Sequence, residues 1–147
     1  MPGNFRIEHE SGAARSGAVL RKAESRSLRF PAVTFRTAKF RAIKEAVLGK
    51  TYRLTLIFAS AVTVKKWNKI YRGRNKATDI LSFPLSPREG EIYVCLSEAE
   101  KEAKKFGRPF ANFIAFLFIH GLAHLKGYRH GATMEGIETK IRGKFGI

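Results

Sequence analysis

The sequence predicts a single small domain of the α/β or α+β class, with helices covering one or both faces of a sheet. Three observations point there. A length of 147 residues is the size of one domain, and 44% hydrophobic residues with 12 Phe supply material for a core. Segments of strand periodicity alternate with segments of helical periodicity along the chain. Gly and Pro punctuate the joints between them.

Residues 1–30 are rich in Gly, Ser and Arg; a strand around Phe5 and Ile7 is the one element expected in this basic N-terminal segment, much of which reads as a mobile arm. The folded domain is expected over residues 31–147. Phe35 to Leu48 places Phe40, Ile43 and Val47 on one helical face, and Gly49 is its expected cap. Tyr52 to Ser60 alternates Leu54, Leu56 and Phe58, the period of a strand. Val64, Trp67, Ile70 and Tyr71 return to helical spacing, so Trp67 and Tyr71 are expected to be buried more readily than to stack on a base. A basic loop, RGRNK, leads to a strand from Thr78 to Phe83 that Pro84 is expected to stop. After a turn at LSPREGE, Ile92–Leu96 forms another strand, with the lone Cys95 buried in it. Ser97 and Glu100 have the spacing of a capping box for a helix to about Phe106. Pro109 opens a long apolar helix that Gly127 ends, and a last helix from Thr133 to Lys144 turns Met134, Ile137 and Ile141 inward.

The charge is large and uneven. Lys and Arg number 28 against 12 Asp and Glu, a net +16. Residues 1–76 hold 18 of the basic and 4 of the acidic residues, leaving the second half nearly neutral. Such a surplus repels itself, so a polyanion is the natural partner, nucleic acid ahead of an anionic membrane surface. A single cysteine excludes an intrachain disulfide. The first ten residues contain no apolar run of the ~7–15 residues a signal peptide needs. The longest large apolar run, Phe113–Ile119, has seven residues, against the ~20 of a membrane helix. A cytoplasmic protein is expected.

Three of the four histidines fall in HGLAHLKGYRH, as His120, His124 and His130. Two of them four residues apart share a helix face, and Gly127 lets the chain fold back to bring the third to the same point. Three imidazoles leave one position open, the arrangement of a catalytic zinc rather than a closed structural one. His9 has no such partner and is expected to be exposed. The spacing H-x-x-x-H-x-x-G-x-x-H also occurs in the metzincin peptidases, which carry a Glu base directly after the first His. Gly121 stands there. A hydrolase without that carboxylate depends on the metal to acidify its water, and the positive charge suits a phosphodiester better than a peptide.

These residues bear a family resemblance. HGLAHLKGYRH resembles the H-G-x-L-H-L-x-G-Y-D-H signature of the YbeY family of bacterial rRNA maturation endoribonucleases. NKIYRGRNKATDILSFPL at 68–85 is similar to that family's N-x-x-Y-R-G-K-D-K-P-T-D-V-L-S-F-P. GEIYVCLSEAEKEAKKFGRPF and GATMEGIETKI resemble its next strand and helix and its C-terminal helix, so the likeness spans roughly residues 50–141. The resemblance implies a mixed sheet of about four strands packed with several helices, and one zinc ion held by His120, His124 and His130. It implies a single-strand-directed endoribonuclease acting on the 3′ end of small-subunit (16S) ribosomal RNA and in ribosome quality control, with that RNA and the small subunit as partners. The family's functionally important arginine falls on Arg72. The chain departs from the pattern at Arg129, where the family has Asp, at Asn75 and Ala77, where it has Asp and Pro, and at Ala123, where it has Leu.

On this reading Arg72 offers a planar fork to phosphate and stabilises charge as it develops. Lys65, Lys66, Lys69, Arg74 and Lys76 form a track for the RNA backbone, and Arg129 is a further phosphate contact. Attack by a hydroxide and attack by the RNA's own 2′-OH both stay open. The rival from another class is a non-catalytic RNA- or ribosome-binding module built around a structural metal.

Overall fold

The computed structural model describes residues 2–10, 19–20 and 37–147. The alternation of Leu54, Leu56 and Phe58 becomes the strand Arg53–Ala59 (β3) at the centre of the sheet. It pairs in parallel with Phe5–Glu10 (β1) on one side and with Glu89–Cys95 (β5) on the other. Two antiparallel strands complete the sheet: Val19–Leu20 (β2) beside β1 and Ile80–Ser86 (β4) beside β5, in the order β2-β1-β3-β5-β4. The mixed sheet of about four strands is therefore four long strands with a two-residue fifth.

Five helices flank it: Thr37–Leu48 (α1), Ala61–Arg72 (α2), Leu96–Lys105 (α3), Phe110–Lys126 (α4) and Ala132–Phe145 (α5). Leu54, Leu56 and Phe58 of β3 and Ile92 and Val94 of β5 turn to one face, where they pack with Phe40 and Ile43 of α1 and Phe113, Phe118 and Leu122 of α4. Each fully buried side chain of this kind contributes about 1.5–3 kcal/mol. Helix α4 is apolar on nearly all sides because α1, α3, α5 and the sheet surround it. Among the described residues the opposite face carries only α2, whose Val64 and Trp67 cover Ile57, Ala59, Leu81 and Cys95. Among the described residues no single helix is long and apolar enough to cross a membrane.

Several expectations are corrected. Strand β1 lies inside the sheet, so the domain takes in part of the segment set apart as residues 1–30; the rest of that segment lies outside the described residues. His9, expected to be exposed, is half-buried in β1 with its ring 5.0 Å from Phe58, and burial lowers its pKa. Pro84 does not stop β4, because β4 is the edge strand, where a residue without an N–H is tolerated, and the register shifts just after it. The hairpin to β5 then needs only Pro87 and Arg88 as its turn. The Ser97–Glu100 capping box does not form: β5 runs straight into α3, Cys95 takes the cap position, and Ser97 lies within the helix with its hydroxyl 3.3 Å from the Cys95 thiol.

Helix α2 is fixed at both ends. Ser60 caps it, accepting from the Thr63 N–H, and both hydroxyls donate to the buried Glu10 carboxylate at the end of β1. At the other end Gly73 adopts a left-handed conformation, φ 67°, and closes the helix directly after Arg72. The buried Asn68 donates to the Lys76 carbonyl at 2.9 Å, pinning the following loop back onto α2 despite Asn75 and Ala77.

Candidate metal centre

His120 and His124 lie one turn apart near the end of α4, on the helix face turned toward α5. Gly127 ends the helix at φ 106°, and its N–H bonds back to the His124 carbonyl. The short turn that follows brings His130 over the last turn of α4 before α5 begins. The three rings close into a triangle, with centroids 4.7, 5.2 and 4.6 Å apart. One ligating nitrogen from each falls within 4.8 Å of the others. The three histidines expected to converge do so.

Two of the rings are held by their outer contacts. His120 Nδ1 faces Glu138 Oε1 at 3.0 Å, and Glu138 is a largely buried residue of α5. With the Nδ1–H donated to the carboxylate, His120 Nε2 carries the lone pair and points at His124 Nε2, 3.2 Å away. Burial lowers the His124 pKa, and the neighbouring His120, His130 and Arg72 lower it further, against an opposing hydrogen bond with the Tyr128 backbone. A neutral imidazole is the form that binds a metal. Three converging ring nitrogens and a carboxylate behind one ring fit a divalent cation with three nitrogen ligands and an open position.

Arg72 ends α2 exposed, and its charge is the weakest of the influences felt by His124. Lys65, Lys66 and Lys69 stand exposed on α2, Arg74 and Lys76 in the loop beyond it, and Arg129 in the turn beside His130. None of these six forms an ion pair among the described residues, with Lys66 lying 5.5 Å over the Trp67 ring. Trp67 is partly buried, but Tyr71, expected to be buried with it, is 62% exposed. Glu138 went unnoticed in the sequence. Its one visible signal is its place in the segment resembling the family's C-terminal helix, 18 residues from the imidazole it supports.

Gly121, next to His120, has a steric cause. A Cβ there would lie 2.9 Å from Ile80 Cδ1, 2.9 Å from Ser82 Oγ and 3.0 Å from Ile92 Cδ1. A side chain there requires the ends of Ile80, Ser82 and Ile92 to shift together, and the Gly121 carbonyl accepts from Ser82 Oγ at 3.3 Å.

A mixed sheet with a three-imidazole centre on its central helix, and a free arginine beside it, defines a hydrolase suited to phosphodiesters. The profile of the Endoribonuclease YbeY family matches residues 23–145, and the chain belongs to that family. A relative from Paraburkholderia phymatum named Endoribonuclease YbeY is 35% identical over 113 residues, covering 70% of this chain and 74% of its own. One of the same name from Rhizobium etli is 32% identical over 108 residues, covering 64% of this chain and 63% of its own. The solution structure of TM1509 from Thermotoga maritima superposes with a TM-score of 0.58 at 26% identity, covering 96% of this chain and 91% of that one.

Proposed function

We propose that this chain is a zinc-dependent, single-strand-specific endoribonuclease of the cytoplasm that trims the 3′ end of 16S ribosomal RNA and serves ribosome quality control on the small subunit. The observation that carries the reading is the convergence of three imidazoles, His120, His124 and His130, in a chain whose Arg72 is exposed, unpaired among the described residues and felt electrostatically by His124.

His120, His124 and His130 would hold the ion, which when bound supplies Lewis acidity toward a phosphate and acidifies water. The chain's own residues supply the rest. Arg72 presents two parallel donors to the scissile phosphate and remains charged throughout, so it offsets the negative charge that grows in the transition state. The carboxylate of Glu138 keeps the His120 ring turned so that Nε2 faces inward. Lys65, Lys66, Lys69, Arg74, Lys76 and Arg129 draw the RNA backbone to the site. Single-strand preference agrees with an open edge strand and exposed helix end rather than a groove shaped to a duplex.

The test is a zinc assay paired with cleavage of a single-stranded RNA, for the wild type and for His124→Ala. The reading expects one zinc per wild-type chain with cleavage, and loss of both in the variant. Zinc binding without cleavage of any single-stranded RNA would return the protein to the class of RNA-binding modules with a structural metal. A 2′,3′-cyclic phosphate at the new end assigns attack to the RNA's own 2′-OH; a plain monophosphate end assigns it to water.

A further inference from the structure

Four aromatic rings form a continuous file from α2 across the sheet edge. Trp67 and Tyr71 are 5.5 Å apart between centroids, Tyr71 and Phe83 of β4 are 5.2 Å apart, and Phe83 and Tyr93 of β5 are 5.6 Å apart. Three of these rings are partly buried against the small core beneath α2. Tyr71 is the exception, with 62% of its surface in water although it packs in tilted contact with Trp67 and Phe83 on either side. Its neighbours hold it in one orientation while a large part of its surface stays open. A ring fixed in that way loses little entropy when a flat ligand lies on it.

The surroundings state the ligand's charge. From Ala61 to Thr78 the chain contains six Lys and Arg residues and no Asp or Glu. None of the six is paired among the described residues. The residue after Tyr71 is Arg72, which reaches the metal centre electrostatically. An exposed aromatic face on a helix whose charges are all positive, next in sequence to Arg72, matches a strand of anionic backbone bearing flat, unpaired bases, while the acidic Glu91 lies at the far end of the file, against Tyr93.

We propose that Tyr71 is a nucleobase-stacking subsite: it seats one unpaired base of the RNA strand while Arg72 engages a phosphate of the same strand. This rests on the RNA-cleaving function proposed above and adds a physical source for single-strand preference. A base must be out of its helix to lie on Tyr71, so paired RNA loses that contact. The stacking is tolerant of base identity, because every base offers a π-face.

The experiment uses the full chain loaded with zinc and a fluorescein-labelled 2′-O-methyl oligoadenylate ten nucleotides long, with an abasic oligomer of equal length as the comparison. Binding is read by anisotropy, and contact at the subsite by quenching of Trp67, the only tryptophan. Tyr71→Leu keeps an apolar cover over Phe83 but removes the stacking face, and it should weaken oligoadenylate binding roughly 5- to 100-fold. Its affinity for the abasic oligomer and the slope of log K against log salt should match the wild type. Tyr71→Phe should bind like the wild type, and wild-type binding should quench Trp67. Unchanged oligoadenylate affinity in Tyr71→Leu overturns the subsite while leaving the RNA-cleaving function intact. Equal losses on both oligomers, with a lowered Tm, also overturn it by assigning Tyr71 a purely structural role. Failure of the wild type to bind either oligomer overturns the function itself.

Discussion

Replacing Glu138 by Gln tests whether the carboxylate behind His120 tunes the metal centre. Gln has nearly the shape of Glu, so the packing between α4 and α5 is retained and the change is one of charge. The Glu138 side chain is 10% exposed and its Oε1 lies 3.0 Å from His120 Nδ1, close enough for a charge-assisted hydrogen bond. Hydrogen bonds to a charged group contribute about 1.5–3 kcal/mol against ~0.5–1.5 for neutral ones, so the substitution removes about 1–1.5 kcal/mol. The bond matters most when a cation on Nε2 polarises the ring, so the loss falls mainly on the metal-bound state. At ~1.4 kcal/mol per decade, zinc affinity should fall about tenfold, within the ~10–100-fold usual for such outer partners. Arg142 Nη1 stands 4.0 Å from the same oxygen and loses its anionic neighbour as well, which adds to the effect in the same direction. Competition against a chromogenic zinc chelator measures the affinity, and thermal unfolding of the metal-free protein checks the fold. An affinity within twofold of the wild type, with an unchanged Tm, would refute the role given to Glu138.

Three further substitutions probe other parts of the molecule. Arg72→Ala should lower single-stranded RNA cleavage by about 10²–10³, the usual cost of losing one donor to developing charge, while zinc stoichiometry by atomic absorption stays at the wild-type value; Arg72→Lys keeps the charge without the fork and should recover only part of the loss. Gly121→Ala forces a methyl against Ile80, Ser82 and Ile92. Overpacking of ~1–3 kcal/mol outweighs the ~1 kcal/mol that Ala gains in a helix, so Tm should drop by a few degrees and zinc affinity should fall with it; a higher Tm contradicts the close approach. Asp79 has its pKa raised, first by burial and then by Glu102, so its contribution to stability is fullest in acid and is lost as pH rises through its folded pKa. Asp79→Asn removes that loss, and should unfold at a higher temperature than the wild type at pH 7, with the gap closing toward pH 4.

What the sequence conveyed and what it hid follow a physical division. Local signals read correctly: the glycines after Leu48 and Lys126 end helices because each supplies a left-handed residue, and His120 and His124 face the same way because a helix puts them there. Signals that depend on tertiary partners did not. Pro84 is a strand breaker only where a neighbour needs its N–H, and no local pattern reveals that β4 is an edge. Ser97 and Glu100 have capping spacing, but the cap is decided by where β5 delivers the chain. Tyr71 follows Trp67 at helical spacing, yet among the described residues no second helix packs beside α2, so its flank stays in water. Glu138 reaches His120 only because α5 packs against α4. The arginine was legible as a residue type, while its place beside the histidines required the close of α2 at Gly73 and the loop pinned by Asn68.

The close packing at Gly121 also separates this centre from the peptidases that share its histidine spacing. Those enzymes put their base on a side chain directly after the first ligand, and here the position is a glycine crowded by the side chains of Ile80 and Ser82 of β4 and Ile92 of β5. Among the described residues the one carboxylate that touches the imidazoles is Glu138, and it contacts His120 through Nδ1, the nitrogen turned away from the converging site. It can orient a ligand but is not placed to take a proton from an attacking group. Arg129 adds positive charge beside His130. A centre with no carboxylate base, in a chain whose α2 and His130 turn carry unpaired positive charge, is poorly suited to a neutral peptide bond. It is suited to a substrate that brings its own negative charge, and RNA also brings a hydroxyl adjacent to each scissile phosphate. The crowding at one glycine therefore bears on the chemistry: no carboxylate base follows the first histidine, and Arg72 can stabilise negative charge but cannot take a proton, which favours a nuclease over a peptidase.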